Sequence, residues 1–141
     1  MMMADRVISE ARRWIGTPYC HRARLRGVGV DCAQLPLAVY AACGITGLPD
    51  PGDYPIQWHM HRSSERYLQG ALAVADEVQD PAPGDLVIFQ YGRTHSHGAI
   101  ITEWPHIIHA AAGRGVVEDN ADSNADMCSR PRKFFRIRES A

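Results

Sequence analysis

The sequence lacks any run approaching the roughly 20 apolar residues of a membrane-spanning helix. Its first residues, MMMADRVISEARRW, carry Asp5, Arg6, Glu10, Arg12 and Arg13 and no apolar stretch of seven or more residues, so no export signal is legible. The expectation is synthesis in the cytoplasm, with exit only by lysis, by assembly into a particle or by a route without a signal. An excess of one charge is missing too. Fifteen Lys and Arg stand against 16 Asp and Glu, a net charge of -1, which leaves no footprint for nucleic acid or an anionic membrane. No C-x-x-C joins any of Cys20, Cys32, Cys43 and Cys128, which argues against a Cys-rich zinc site. Without a secretory signal a disulfide framework is not expected either. There is no H-E-x-x-H, no G-x-S-x-G around Ser96 and no G-x-G-x-x-G after a strand, so zincin, serine-hydrolase and dinucleotide-binding readings lack their motifs. No cofactor is expected.

What is present is one soluble domain. The 141 residues are 45% hydrophobic and 22% charged, the balance of a globular chain read as a single domain over 1–141. Val7, Ala11, Trp14 and Ile15 fall at helical spacing behind Asp5 as a cap. A Gly- and Arg-rich loop leads to Asp31, and a second helical pattern runs from about Cys32 to Ala42, closed by Gly44. Pro36 lies inside it and conflicts with a regular ladder at its start. Residues 46–61 read as loop and 63–76 as a third helix. From Pro81 the period changes: DLVIFQ, HGAIITE, HIIHA, GVVED and KFFRIR read as five strands with short links that favour antiparallel pairing. The class is α+β, with N-terminal helices packed on a five-stranded, mainly antiparallel sheet.

Cys32 stands at the expected helix N-terminus, where the dipole favours a thiolate. A thiol nucleophile needs a histidine within hydrogen-bond reach, and that histidine needs an orienting partner. If HGAIITE and HIIHA pair across Trp104–Pro105, His97 and His109 come together at the outer ends of the hairpin, as base and orienter. The chain holds seven histidines, and His59-x-His61 or His95-x-His97, joined by His109, form a competing zinc reading.

W-I-G-T-P-Y (14–19), G-V-D-C (29–32), P-G-D-L-V-I-F (83–89), H-G-A-I (97–100) and I-I-H-A (107–110) occur in the order seen in NlpC-type cell-wall cysteine peptidases, which the chain resembles. The resemblance implies a papain-like fold with Cys32 as nucleophile, His97 as general base and His109 as third residue. It implies that Tyr19 helps hold the oxyanion with the backbone amide of Cys32, and that Asp31 reads a free amine of the substrate. The implied reaction is hydrolysis of a peptidoglycan stem peptide, typically between D-γ-glutamyl and diaminopimelate. Where the family has D-C-S-G this chain has D-C-A-Q, which changes the expected substrate contact at Ala33. The segment YPIQWHMHRSSERYL is similar to the branch found in phage tails and prophages. That similarity implies tail proteins as possible partners, and Trp58 and His61 at the groove rim. A non-catalytic wall-binding or tail module, and a thiol acyltransferase or amidase acting on a small substrate, are the alternatives.

Overall fold

The structure, a computed structural model, describes residues 2–45, 47, 66–92 and 94–138. Helix α1 (Met3–Arg13) turns Val7 and Ala11 inward, with Trp14 at its end, as their spacing requires. Its N-cap is Met2, without a side-chain cap bond, so Asp5 is not the cap but a first-turn acid. There it complements the helix dipole, as Arg12 and Arg13 do in the last turn. A two-stranded ribbon, β1 (Arg24–Leu25) and β2 (Gly29–Val30), forms inside the expected loop. Helix α2 (Gln34–Ala42) is almost wholly buried. Helix α3 (Arg66–Val74) stops at Val74 rather than Asp76, because Ala75 and Asp76 already belong to a strand.

Among the described residues the main sheet has six strands, not five. They are β3 (Ala75–Val78), β4 (Leu86–Tyr91), β5 (Thr94–Glu103), β6 (His106–Ala111), β7 (Gly115–Asn120) and β8 (Arg132–Ile137). The spatial order is β3-β8-β4-β5-β6-β7, antiparallel throughout. The additional strand is β3, whose Ala-Asp-Glu-Val has little intrinsic strand preference. Pairing with β8 makes it, with Ala75 opposite Ile137 and Val78 opposite Phe134.

Alternation along the central strands fills both faces of the sheet. Leu86, Ile88, Ile100 and Ile108 pack with Leu35, Val39 and Tyr40 on the helix side. Val87, Phe89, Ala99, Ile101 and Ile107 pack with Ala121 and Met127, which come from the turn-rich segment 121–131. Each large apolar side chain so buried stabilises the fold by about 1.5–3 kcal/mol.

Two close approaches position the segment that leads to Cys32. Gly16 donates to the Val116 carbonyl at 3.0 Å, and Val116 donates to the Thr17 carbonyl at 2.9 Å, which fastens residues 16–17 to β7. Gly115 permits this: its φ is +81°, and a Cβ there would sit 2.6 Å from the Thr17 oxygen. Further on, Val30 donates to the Pro18 carbonyl and Cys20 to the Val30 carbonyl, both at 3.0 Å. A Cβ on Gly29 would come within 2.7 Å of the Cys20 Cβ. Tyr19 is thereby held between β7 and β2, beside Cys32.

Candidate active site

Cys32 leaves β2 and enters α2 over a buried carboxylate. Asp31 is 1% exposed. Its Oδ1 accepts from the backbone N–H groups of Ala33 at 3.1 Å and Gln34 at 2.8 Å, and its Oδ2 from that of Arg22 at 2.7 Å. Leu35 donates to the Asp31 carbonyl at 3.0 Å. By hydrogen bonding, Asp31 is the N-cap of the turn that carries Cys32. Pro36 has no N–H to give the Cys32 carbonyl, so the regular ladder begins only at Gln34. The proline therefore does not break the helix; it frees the turn on which the cysteine stands.

The Cys32 Sγ lies 3.9 Å from the Ser96 carbonyl and 4.0 Å from the Tyr19 hydroxyl. His97, next to Ser96 on β5, and His109 on β6 are both buried. The Nε2 of His97 lies 2.9 Å from the Nδ1 of His109, with the rings edge to face at 79°. The hairpin brings them together as expected, though by a diagonal step rather than face to face. Ile100 pairs with Ile108, and continuing that register sets His109 beside Ala99, one diagonal from His97. With its Nε2 turned to His109, it is at Nδ1 that His97 would have to exchange a proton with a thiol.

His109 passes the contact on. Its Nε2 is 3.2 Å from the Oδ2 of Asp119, which also accepts from Arg114 Nη1 and Asn124 Nδ2, each at 3.0 Å. The ring of Tyr91 lies 5.0 Å from that of His97. The Tyr91 hydroxyl donates to Asp126 at 2.7 Å, and the Arg130 guanidinium stands 3.6 Å over the Tyr91 ring.

The electrostatics correct one expectation. Burial, and after it the charge of Asp31, push the Cys32 thiol up to about 12, while Tyr19 and the backbone N–H groups of Cys32 and Ala33 pull the other way. Burial, the larger cause, and the Asp31 carboxylate together outweigh the favourable backbone N–H groups at this helix N-terminus. The thiol is partly exposed to the cavity, and solvent there screens part of the upward push. Burial lowers His109 below the ordinary imidazole value against the opposing pull of Asp119, so the ring is neutral at pH 7. Burial works to raise Asp119, but hydrogen bonds from Asn124, Arg114 and His109 outweigh it and hold the carboxyl low.

A cavity of about 530 Å³ opens over these groups, walled among others by Tyr19, Cys32, His97, Arg114, Asn124 and Asp126. Of the expected site residues, Cys32, His97, His109 and Tyr19 converge on it. Asp31 and Ala33 do not line it: Asp31 sits under the turn, and Ala33, with no exposed surface, belongs to the core. Trp58 and His61 lie outside the described residues, as does His59. Among the described residues no group of three His, Cys, Asp or Glu side chains is arranged to hold a metal ion. The sequence reading does not single out Tyr91, Arg114, Asp119, Asn124 or Asp126. Alternation on GVVEDN places Asp119 on the same face as Val117, and that was the signal available.

The family model described as the NlpC/P60 family matches residues 16–130. No curated protein sequence matches the chain. Among solved structures it is similar to the NlpC/p60 domain of the peptidoglycan hydrolase SagA, with 21% identity, a TM-score of 0.59, and 92% of this chain and 96% of that one covered. RipD of Mycobacterium tuberculosis, a non-catalytic NlpC/p60 domain protein adapted to peptidoglycan binding, is 17% identical with a TM-score of 0.61, covering 98% of this chain and 99% of that one. NlpC2 of Trichomonas vaginalis is 19% identical with a TM-score of 0.69, covering 96% of this chain; here the chain spans 46% of its relative. At these identities the likeness shows the fold.

Proposed function

The chain belongs to the NlpC/P60 family, and from that premise we propose that it is a cysteine peptidase hydrolysing an amide bond in peptidoglycan stem peptides, between D-γ-glutamyl and diaminopimelate. One observation carries the reading. Cys32, His97 and His109 meet at one cavity, with the histidines 2.9 Å apart through the two nitrogens a base and its orienter would use.

In this mechanism Sγ attacks the amide carbon as its proton passes to Nδ1 of His97. The oxyanion that forms is held by the Tyr19 hydroxyl and the backbone N–H of Cys32. Collapse expels the amine, which takes the proton from His97, and leaves a thioester on Cys32. Water, activated by His97, then releases the acid and restores the thiol. RipD shows that this fold also serves binding without turnover. Convergence of all three residues on the cavity favours catalysis in this chain. Contact of Trp58 and His61 with the substrate and a tail-borne setting belong to the same proposal, on the resemblance of segment 54–68 alone. None of the three relatives above is described as a tail protein.

Incubation with purified muropeptides tests the reading. The wild type should release a new amine and Cys32→Ala should not; a wild type that binds muropeptides and releases none would sink it.

A further inference from the structure

We propose, resting on the reading above, that Asp119 is a fourth member of the Cys32–His97–His109 chain, a positioning residue that fixes the tautomer of both imidazoles. Its place follows from strand register. His109 pairs with Val117, so Asp119 is its diagonal neighbour on the same face, just as His109 is the diagonal neighbour of His97. Two successive diagonal steps across β5, β6 and β7 thus lay the base, its orienter and a carboxylate in one line.

The hydrogen bonds give that line a direction. Asp119 is held from several sides: Oδ2 accepts from Arg114, Asn124 and His109, and Oδ1 from the Asn120 backbone at 3.0 Å. An ionised carboxylate accepts only, so the His109 nitrogen facing it, Nε2, must carry the hydrogen. A neutral His109 then has its lone pair on Nδ1. The 2.9 Å contact to His97 Nε2 can be a hydrogen bond only if His97 supplies the hydrogen. That leaves the lone pair of His97 on Nδ1, the nitrogen required to take the proton of Cys32. A charge two residues removed from the thiol therefore decides whether the base is able to act. The charged groups acting on His109 are Asp119, Arg114 and Asp126, and only Asp119 touches its ring nitrogen.

Asp119→Asn removes the constraint, because an amide can donate to Nε2 and favour the opposite tautomer in both rings. Nitrogen NMR of the histidine rings in the full chain at pH 7.5 reads this directly, alongside kinetics on muropeptides. The wild type should carry hydrogen on Nε2 of both His97 and His109. In Asp119→Asn a large fraction of both rings should move to the Nδ1–H form. The value of kcat should fall about 10²-fold, short of the ~10⁴-fold loss when such a carboxylate touches the base itself. KM should stay within about twofold, and Asp119→Glu should recover the tautomers and most of kcat. In a His109→Ala background Asp119→Asn should add nothing.

A wild type in which either ring lacks hydrogen on Nε2 overturns the proposal, and so does a folded Asp119→Asn that keeps the wild-type tautomers. If Asp119→Asn does not fold, the wild-type spectrum still decides, with Asn124→Ala, which removes one anchor, expected to shift the tautomers in part. A wild type with the expected tautomers that releases no amine supports the positioning role and refutes the peptidase reading.

Discussion

A thiol that burial holds protonated is a poor nucleophile until something accepts its proton, and at Cys32 the proposed acceptor is His97. In His97→Ala the thiol loses that acceptor, while burial and Asp31, which already raise it in the folded chain, remain. A raised pKa means less thiolate at any given pH. Alkylation of Cys32 by iodoacetamide in this variant should therefore keep climbing well above pH 10, where a free thiol near 8.5 has already levelled off. In the wild type the Cys–His pair titrates as a unit, and alkylation should be substantial at neutral pH. Mass spectrometry of the Cys32 peptide across pH measures both. Tyr19→Phe tests the other side of the reaction: loss of one oxyanion donor should lower kcat about 10²–10³-fold, with the melting temperature nearly unchanged. The convergence of Cys32, His97 and His109 on one cavity was legible in the sequence, because thiol chemistry would draw on those residue types and a hairpin could bring the histidines together. Asp119 was not, because its meeting with His109 depends on the β6–β7 register, which no local pattern prints. Nor was the raised thiol, since it arises first from burial and only then from Asp31 folding back under its own helix.

At the scale of elements, the site depends on how closely two segments without regular structure approach the sheet. Residues 16–17 rest on the start of β7 only because Gly115 holds a φ of +81° and has no Cβ. Gly115→Ala meets backbone strain of about 1–3 kcal/mol together with a backbone oxygen that cannot move aside cheaply. A lowered denaturant midpoint is expected, with a loss of kcat larger than global stability explains, because Tyr19 moves with Thr17. Asp31→Ala removes the acceptor for the Ala33 and Gln34 N–H groups. A lost cap costs about 0.5–2 kcal/mol, and activity should fall with it as the Cys32 turn loosens. The contrast between legible and illegible elements has one cause. The long apolar strands β4, β5 and β6 declare themselves by their own side chains, whereas β3 and the β1–β2 ribbon exist only through their pairing partners. Pro36 shows the middle case: the sequence exposed the conflict, and the fold settled it by setting the cysteine on the turn before the regular ladder.

Over the whole molecule, a sheet covered on both faces encloses its active groups in a seam, and that enclosure makes stability depend on pH in a definite way. Burial lowers His109 from 6.5. Below about pH 6.5 the unfolded chain takes up a proton there that the folded chain refuses, so stability falls as pH falls toward the folded value. Asp119 and Asp126 are held below the usual carboxylate value of 3.8, so their stabilisation survives until lower pH and is then lost. On the alkaline side Cys32, raised from 9.0, and Tyr40, raised above 10.0, favour their protonated forms, and that contribution disappears as pH rises through their unfolded values. The three trends leave a plateau between about pH 6.5 and 9, flanked by an imidazole limb and a thiol–phenol limb. Thermal denaturation from pH 4.5 to 10 should show this shape, each unit of pKa displacement being worth about 1.4 kcal/mol on its limb. His109→Gln should flatten the decline between pH 6.5 and 4.5 while leaving the alkaline limb in place, and Cys32→Ala should do the reverse in part, with Tyr40, Tyr91 and Cys43, all raised, maintaining the remainder. An acid limb that survives His109→Gln unchanged would mean that His109 is not the buried imidazole holding the seam closed, and the neutral ring on which the His97 tautomer depends would lose its support.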